Sequence, residues 1–540
     1  MNKELKDIVS YCQNAKNLLC YGMGDYARML CEFLECNNVA LENFCVSDNQ
    51  EIVENEFNDG KVCHLSECNS EVGYEVIIAL SEKWHSEVMD NLKQLNCSSV
   101  LLISDSIAKM LRIWSSICFN AAKLAQIKCD EHEFERKYQE LKNKFDHIEV
   151  RMGTGATIGA LLLEYFYIKK YKCHKEHIFY LYAVHSKEKI RNNTYSYPNN
   201  VLYRHFNGEN FAAIYGETLQ FWKYIITKHS DFININTDYD YMNDVMEAAI
   251  DKMHEGNFKN IDGDYFDFNN DEIQYAEKQI DYLGINSEFV CVYSRDAGYY
   301  QATWETIDEP LKIMDKYRNS SIKNFIASAD YLQSVGVQSV RVGSYPKTST
   351  NESCIIDYAG RAHDDLMDFY LAKKCRFYLG DHSGVILFQA LFGTPMAMVN
   401  VPNITGYADG TFPFVRERDL IIYHKFWDPK KKRLLNLSEM LEIENCYDDD
   451  YHYSGNVRIF EKYNELGIVP IENTEEEILA LAKEMEAKLK GESYYTSEDE
   501  VLQRKYWDIL IPHLKKHKRA LWYDARVGRD FLRENAWLTR

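Results

Sequence analysis

FVCVYSRDAGYY (Phe289–Tyr300), SVRVGS (Ser339–Ser344), CIIDYAG (Cys354–Gly360), CRFYLGDHSG (Cys375–Gly384) and PMAMVN (Pro395–Asn400) follow one another through the C-terminal half of the chain. Each opens with an apolar run of strand length, and helical patterns near Ser321–Gly336, from Asp364 and from Gly384 separate them. Strands alternating with helices predict an α/β domain with a parallel, doubly wound sheet. Gly336 and Gly393 stop two of the helices, and Pro395 follows the second stop by two residues, as expected beyond a helix C-terminus.

Ligands of open parallel sheets bind beyond the carboxyl ends of the strands, so the residues there are the candidates. Arg295 and Asp296 end the first strand, Arg341 and Gly343 the second, Asp357 the third, and Ser383 and Gly384 follow Asp381 at the end of the fourth. An arginine fork can donate two parallel hydrogen bonds to phosphate oxygens and offset charge on a leaving diphosphate. The amides and hydroxyl of Ser383 and Gly384 precede an apolar helix and suit an anion. Bland readings compete at each place: an Arg295–Asp296 ion pair fixing a loop, Ser383 as a helix cap, Asp364 as an N-cap. Asp357 is read as a partner for a ribose or base.

Upstream, YGMGDYAR (Tyr21–Arg28) sets Gly22, Gly24 and Ala27 after a strand, and Asp48 ends the next strand. That spacing suits a second nucleotide site, with Asp48 toward a ribose; the same glycines also serve merely to turn a strand into a closely packed helix. EHEFERKYQELKNKF (Glu131–Phe145) reads as part of a connecting helix, and IEVRMGTGATIG (Ile148–Gly159) opens a further α/β stretch whose helix carries Glu164. An acceptor hydroxyl needs a carboxylate or imidazole base, and Glu164, Asp296 and His382 are the residues considered. The domain boundaries expected are 1–105, 106–146, 147–285, 286–471 and a helical 472–540.

The chain has 540 residues with a formal charge of -21, which disfavours sequence-independent nucleic-acid binding. Its 15 Cys show no C-x-x-C pair, no secretory leader pattern opens the chain, and reduced thiols in a cytoplasmic setting are expected. No apolar run approaches the about 18 residues of a membrane span. Arg504–Arg519 mixes basic residues with Trp507, Leu510, Ile511 and Leu514, which leaves open peripheral contact with the inner face of a membrane beside a plain core-packed helix. Asp238–Asp240 and Asp262–Asp264 form D-x-D triplets, but with 83 acidic residues such triplets arise readily by chance, and no dedicated metal site is expected.

The C-terminal half resembles a family of bacterial glycosyltransferases associated with surface polysaccharides. The matching pieces are YSRDAGYY, YRNSSIKNF (Tyr317–Phe325), YLQSVGVQSVRVG, IIDYAG, DDLMDFYLAKKCRFYLGDHSG, LFGTPMAMVN and DLIIYHKFWDPKKKRLLNLSEML, and the likeness runs from about Ile148 to Leu538. It implies a GT-B-like pair of Rossmann-like domains facing across a cleft, with the extra N-terminal Rossmann-like domain as an addition. It further implies a nucleotide-sugar donor on Arg295, Arg341, Ser383 and Gly384, a glycan or lipid-linked acceptor on the other domain, and no essential bound metal or cofactor. Two alternatives stay open: a nucleotide-sugar epimerase or NAD-dependent oxidoreductase using the Gly22 turn, and a non-catalytic module that only binds a nucleotide sugar.

Overall fold

The computed structural model describes residues 3–50, 52, 56–57, 60–108, 110–111, 130–144, 148–152, 162, 178–183, 199, 201, 211–214, 221, 224–225, 228–229, 232–235, 266–303, 309–404, 417–445, 454–516 and 525–540. The chain divides into two compact units, residues 1–156 with 173–240, and residues 157–172 with 241–540.

The first unit holds two sheets. One contains β1 (Leu18–Tyr21), β2 (Asn43–Val46), β3 (Glu56–Phe57), β4 (Gly60–His64), β5 (Tyr74–Ile78) and β6 (Cys97–Leu102), in the order β3-β4-β2-β1-β5-β6. Every pair is parallel except the short β3–β4 hairpin. The other contains β7 (Ile148–Met152), β8 (Ile178–Ala183), β9 (Phe211–Ile214) and β10 (Ile233–Ile235), all parallel, in the order β10-β7-β8-β9. The expected connecting helix runs over Glu131–Lys144 among the described residues. It buries Phe134 and Tyr138 in one cluster with Phe221, Ile225 and Phe232.

The second unit is built on seven parallel strands: β11 (Phe289–Tyr293), β12 (Gln338–Arg341), β13 (Ile355–Asp357), β14 (Tyr378–Asp381), β15 (Met396–Val401), β16 (Leu420–Tyr423) and, after the small antiparallel sheet of β17 (Lys425–Asp428), β18 (Arg433–Leu434) and β19 (Val469–Ile471), β20 (Arg526–Val527). Their order is β13-β12-β11-β14-β15-β16-β20. The chain therefore steps outward from β11 to β13, returns to lay β14 against the other side of β11, and steps outward in the opposite direction. That reversal is a topological switch point, and it lies between β11 and β14.

Burial explains why these runs are strands. All six residues of β15 and all four of β14 and β16 are buried, as expected for a parallel sheet covered on both faces. The helix Asp365–Lys374 is capped as expected, with the Asp364 carboxylate accepting from Leu366 N and Met367 N at 3.0 and 3.1 Å. It buries Phe369, which stacks on Phe266 at 4.3 Å and meets Phe388 edge-on at 4.9 Å, geometries that aromatic quadrupoles favour.

Residues 472–540 do more than form helices, because β20 adds a strand to the sheet edge with Val527 opposite Ile421. The backbone at Gly528 comes so close to Leu481 and Ile422 that a Cβ would sit 2.8 and 2.9 Å from their side chains. In the helix Ser497–Lys516, Tyr506 and Leu510 are fully buried and Tyr506 Oη lies 2.5 Å from Tyr423 Oη. These two residues of the segment considered for membrane contact thus pack inward. No helix among the described residues is long and apolar enough to cross a membrane.

Candidate functional site

Register brings the ends of neighbouring strands level: Arg341 lies opposite Val292 and Asp357, and Tyr293 lies opposite Gly380. Arg295, Asp296, Arg341, Gly343, Asp357, Ser383 and Gly384 therefore share one edge of one sheet.

The two arginines carry charges that the protein itself balances. Arg295, 6% exposed, places its guanidinium 2.9 Å from the Asp315 carboxylate, donates from Nη1 to Asn319 Oδ1 and lies over the Tyr300 ring at 5.3 Å. Arg341, 2% exposed, sits 3.8 Å from Asp296 and 3.6 Å from Asp357 and donates to the Thr348 carbonyl at 2.7 Å. The competing Arg295–Asp296 ion pair is not what forms: Arg295 takes Asp315, and Arg341 is the arginine near Asp296. A guanidinium this deeply buried needs such partners, because an uncompensated buried charge is costly.

The carboxylates at this edge shape loops. Asp296 accepts the amides of Gly298 and Lys347 at 2.8 and 2.9 Å, and Asp357 those of Thr350 and Gly360 at 2.8 and 3.2 Å. At the switch point, the Ser383 hydroxyl accepts from Val385 N at 3.2 Å. Burial pushes the Tyr293 phenol up, against the opposing pull of Arg295 and of a hydrogen bond with Ser383. Gly343 has φ +111° and leaves no room for a side chain, since a Cβ would lie 2.8 Å from the Tyr293 ring.

The residues that tie this edge together include several that the strand-end rule does not select. Asp381, fully buried, accepts from the Arg295 amide at 2.6 Å, from the Ser320 hydroxyl and from Asn400 Nδ2 at 2.8 Å. Asn400 and Asn473 exchange side-chain and backbone hydrogen bonds at 2.6 Å. Three consecutive residues, the last of the helix Glu309–Arg318 and the two beyond it, cross the switch point: Arg318 Nη2 reaches the His382 carbonyl at 3.5 Å, Asn319 holds Arg295, and Ser320 holds Asp381 while its amide donates to the Arg295 carbonyl at 2.9 Å. Among the described residues Arg318 has no carboxylate partner, and its buried Nε has no hydrogen-bond acceptor. The signal for this turn was in plain view as the polar run Arg318-Asn319-Ser320-Ser321 between two helices.

Burial pushes the Asp381 carboxyl up to about 7, against hydrogen bonds from Ser320, the Arg295 amide and Asn400. A carboxyl raised from its ordinary value of about 3.9 contributes stability that is complete below about pH 4 and lost as pH rises through about 7. The thermal midpoint is expected to fall as pH rises from about 4 to about 7 and to level off above that. In Asp381→Asn that part of the slope should vanish, which paired melting curves across the window will read.

In the N-terminal sheet, Gly22 has φ +112° and a Cβ there would lie 2.9 Å from Leu80, so both the backbone conformation and the packing require glycine. Gly24 caps the helix Asp25–Cys36 and faces open space. Asp48 gives one carboxylate oxygen to the Ser66 amide at 2.9 Å, and that bond holds it below the usual carboxylate range. Glu164, the glycine-rich turn Gly153–Gly159 and the triplets at Asp238–Asp240 and Asp262–Asp264 lie outside the described residues. Among the described residues no group of three or more His, Cys, Asp or Glu could hold a metal ion.

No protein-family model matches the chain, and no curated protein does. Among solved structures, a glycosyl transferase family 9 protein from Veillonella parvula DSM 2008 is 9% identical, with 88% of this chain and 98% of that one covered at a TM-score of 0.25. A Listeria monocytogenes protein described as a UDP-N-acetylglucosamine 2-epimerase is 12% identical, with 71% and 79% covered at a TM-score of 0.17. Likenesses at such scores decide neither fold nor activity.

Proposed function

We propose that the chain is a glycosyltransferase that takes a nucleoside-diphosphate sugar at the β11–β14 switch point and passes the sugar to a glycan or lipid-linked acceptor of surface polysaccharide synthesis. One observation carries the reading: a turn stitched across that switch point delivers Arg318, a cation with no carboxylate partner among the described residues, to the His382 carbonyl, next in the chain to Ser383 and Gly384. A diphosphate there would gain a charge-assisted hydrogen bond from Arg318 and hydrogen bonds from the Ser383 hydroxyl and the adjoining amides. Guanidinium charge also offsets what develops on the leaving diphosphate, a service that needs no bound metal. In this reading Arg295 and Arg341 act mainly by holding the edge in shape, with Asp296 and Asp357 as their counterweights. Asp296 has both carboxylate oxygens engaged by amides, which leaves Glu164 and His382 of the residues considered for the base. The work would be done in the cytoplasm or at the inner face of the membrane.

A panel of UDP-, GDP-, dTDP- and CMP-sugars tests the proposal. Ligands that bind only the folded state raise its melting point, by about 2.7 kcal/mol of stability at a hundredfold excess over Kd. At least one nucleoside-diphosphate sugar should do so and be consumed with release of nucleoside diphosphate. If none binds, or if one binds and is never turned over in the presence of any glycan acceptor, the transferase reading fails. A melting-point rise given by NAD alone and lost in Gly24→Val would favour the oxidoreductase alternative.

A further inference from the structure

Three thiols of the N-terminal sheet meet at one place. Cys45 on β2 and Cys63 on β4 are register partners across the parallel pair. Cys68 follows the turn Leu65–Glu67 and brings its Sγ to 3.6 Å from that of Cys63. Cys45 is fully buried, whereas Cys63 and Cys68 are half-buried and within reach of a small solute. The turn between them is pinned at several points. The Glu67 carboxylate accepts from His64 N at 2.8 Å, Asp48 from Ser66 N at 2.9 Å, and the Leu65 carbonyl from Cys68 N at 3.2 Å. The two sulfurs are thus held in contact by the fold.

We propose that Cys63 and Cys68 form a peroxide-sensitive dithiol that closes to a disulfide within the N-terminal domain. Cys68 is the attacking sulfur: hydrogen bonds from Cys45 and then Cys63 bring it down to about 7 in spite of burial, while burial first and the bond to Cys68 next push Cys63 up to about 12. The Cys68 thiolate attacks one peroxide oxygen, the O–O bond breaks, and the departing hydroxide takes a proton to become water, leaving Cys68 as the sulfenic acid. Cys63 then displaces the hydroxyl group. The S–S bond forms, the S–O bond breaks, and the Cys63 proton leaves with the hydroxide as a second water. Two thiols lose two electrons and one peroxide becomes two waters. Closure requires the sulfurs to approach from contact to about 2.05 Å, a side-chain movement within one short turn.

The test uses the full-length reduced protein, treated with one to a few equivalents of hydrogen peroxide, blocked with iodoacetamide and mapped by mass spectrometry. The peptide containing Cys63 and Cys68 should appear two hydrogens lighter than its reduced form, carry no alkyl group on either residue, and revert with dithiothreitol. In Cys63→Ser the reaction should stop at a Cys68 sulfenic acid that dimedone traps. Alkylation of both residues after peroxide overturns the proposal, as does a Cys45–Cys68 link in their place. Stoichiometric zinc bound by the reduced protein, with the thiols shielded from iodoacetamide, overturns it as well.

Discussion

Arg318→Ala is expected to lower kcat/KM for the nucleoside-diphosphate sugar by about 10- to 150-fold, the range set by losing a hydrogen bond to a charged group, roughly 1.5–3 kcal/mol. The thermal midpoint without ligand should stay close to that of the parent, because among the described residues the Arg318 side chain balances no carboxylate and its one hydrogen bond is a 3.5 Å contact with the His382 carbonyl. Arg318→Lys keeps the charge and loses the fork, so it should recover only part of the rate. Initial rates of nucleoside-diphosphate release, paired with melting curves, separate this outcome from a folding defect. An Arg318→Ala protein that turns over donor at the parent rate would remove Arg318 from the site.

Arg341→Met should act in the opposite way, with a large loss of stability. Arg341 is 2% exposed and sits between Asp296 and Asp357. Removing it leaves two carboxylates without their cation, one of them fully buried. Breaking a buried pair from one side costs about 3–5 kcal/mol. Denaturant unfolding should show a midpoint shift of that size. Arg341→Met, Asp357→Asn should lose less than the sum of the single variants, since the second change removes one of the stranded charges. If Arg341→Met unfolds like the parent but no longer binds donor, Arg341 contacts the ligand and the division of labour drawn here is reversed.

Much of the second unit could be read from its apolar runs. The five pieces that open the sequence analysis correspond to β11, β12, β13, β14 and β15, and the stops at Gly336 and Gly393 both fall in left-handed backbone, with φ +82° and +66°. Alternation of apolar strands with helices is a local signal, so it survives in the sequence. The partners of buried charges are not local. Arg295 is answered by Asp315, 20 residues further on, and Asp381 by Ser320 and Asn400, so no spacing rule relates them. The strand-end rule selected residues that share one edge of one sheet but could not say which guanidinium was already spoken for. Arg318 escaped it because it arrives on a helix C-terminus and the turn beyond. In the same way β20 was hidden inside a helical region, since two residues at a sheet edge carry almost no periodicity.

Amide hydrogen exchange with the nucleoside diphosphate that raises the melting point reads whether the donor's diphosphate sits where β11 and β14 part. Exchange should slow in Ser294–Gly298, Arg318–Ser321 and His382–Ile386, and Arg318→Ala should lose that protection. Protection confined to Gly22–Ala27, or none in any of the three switch-point segments at saturating nucleotide, would contradict it.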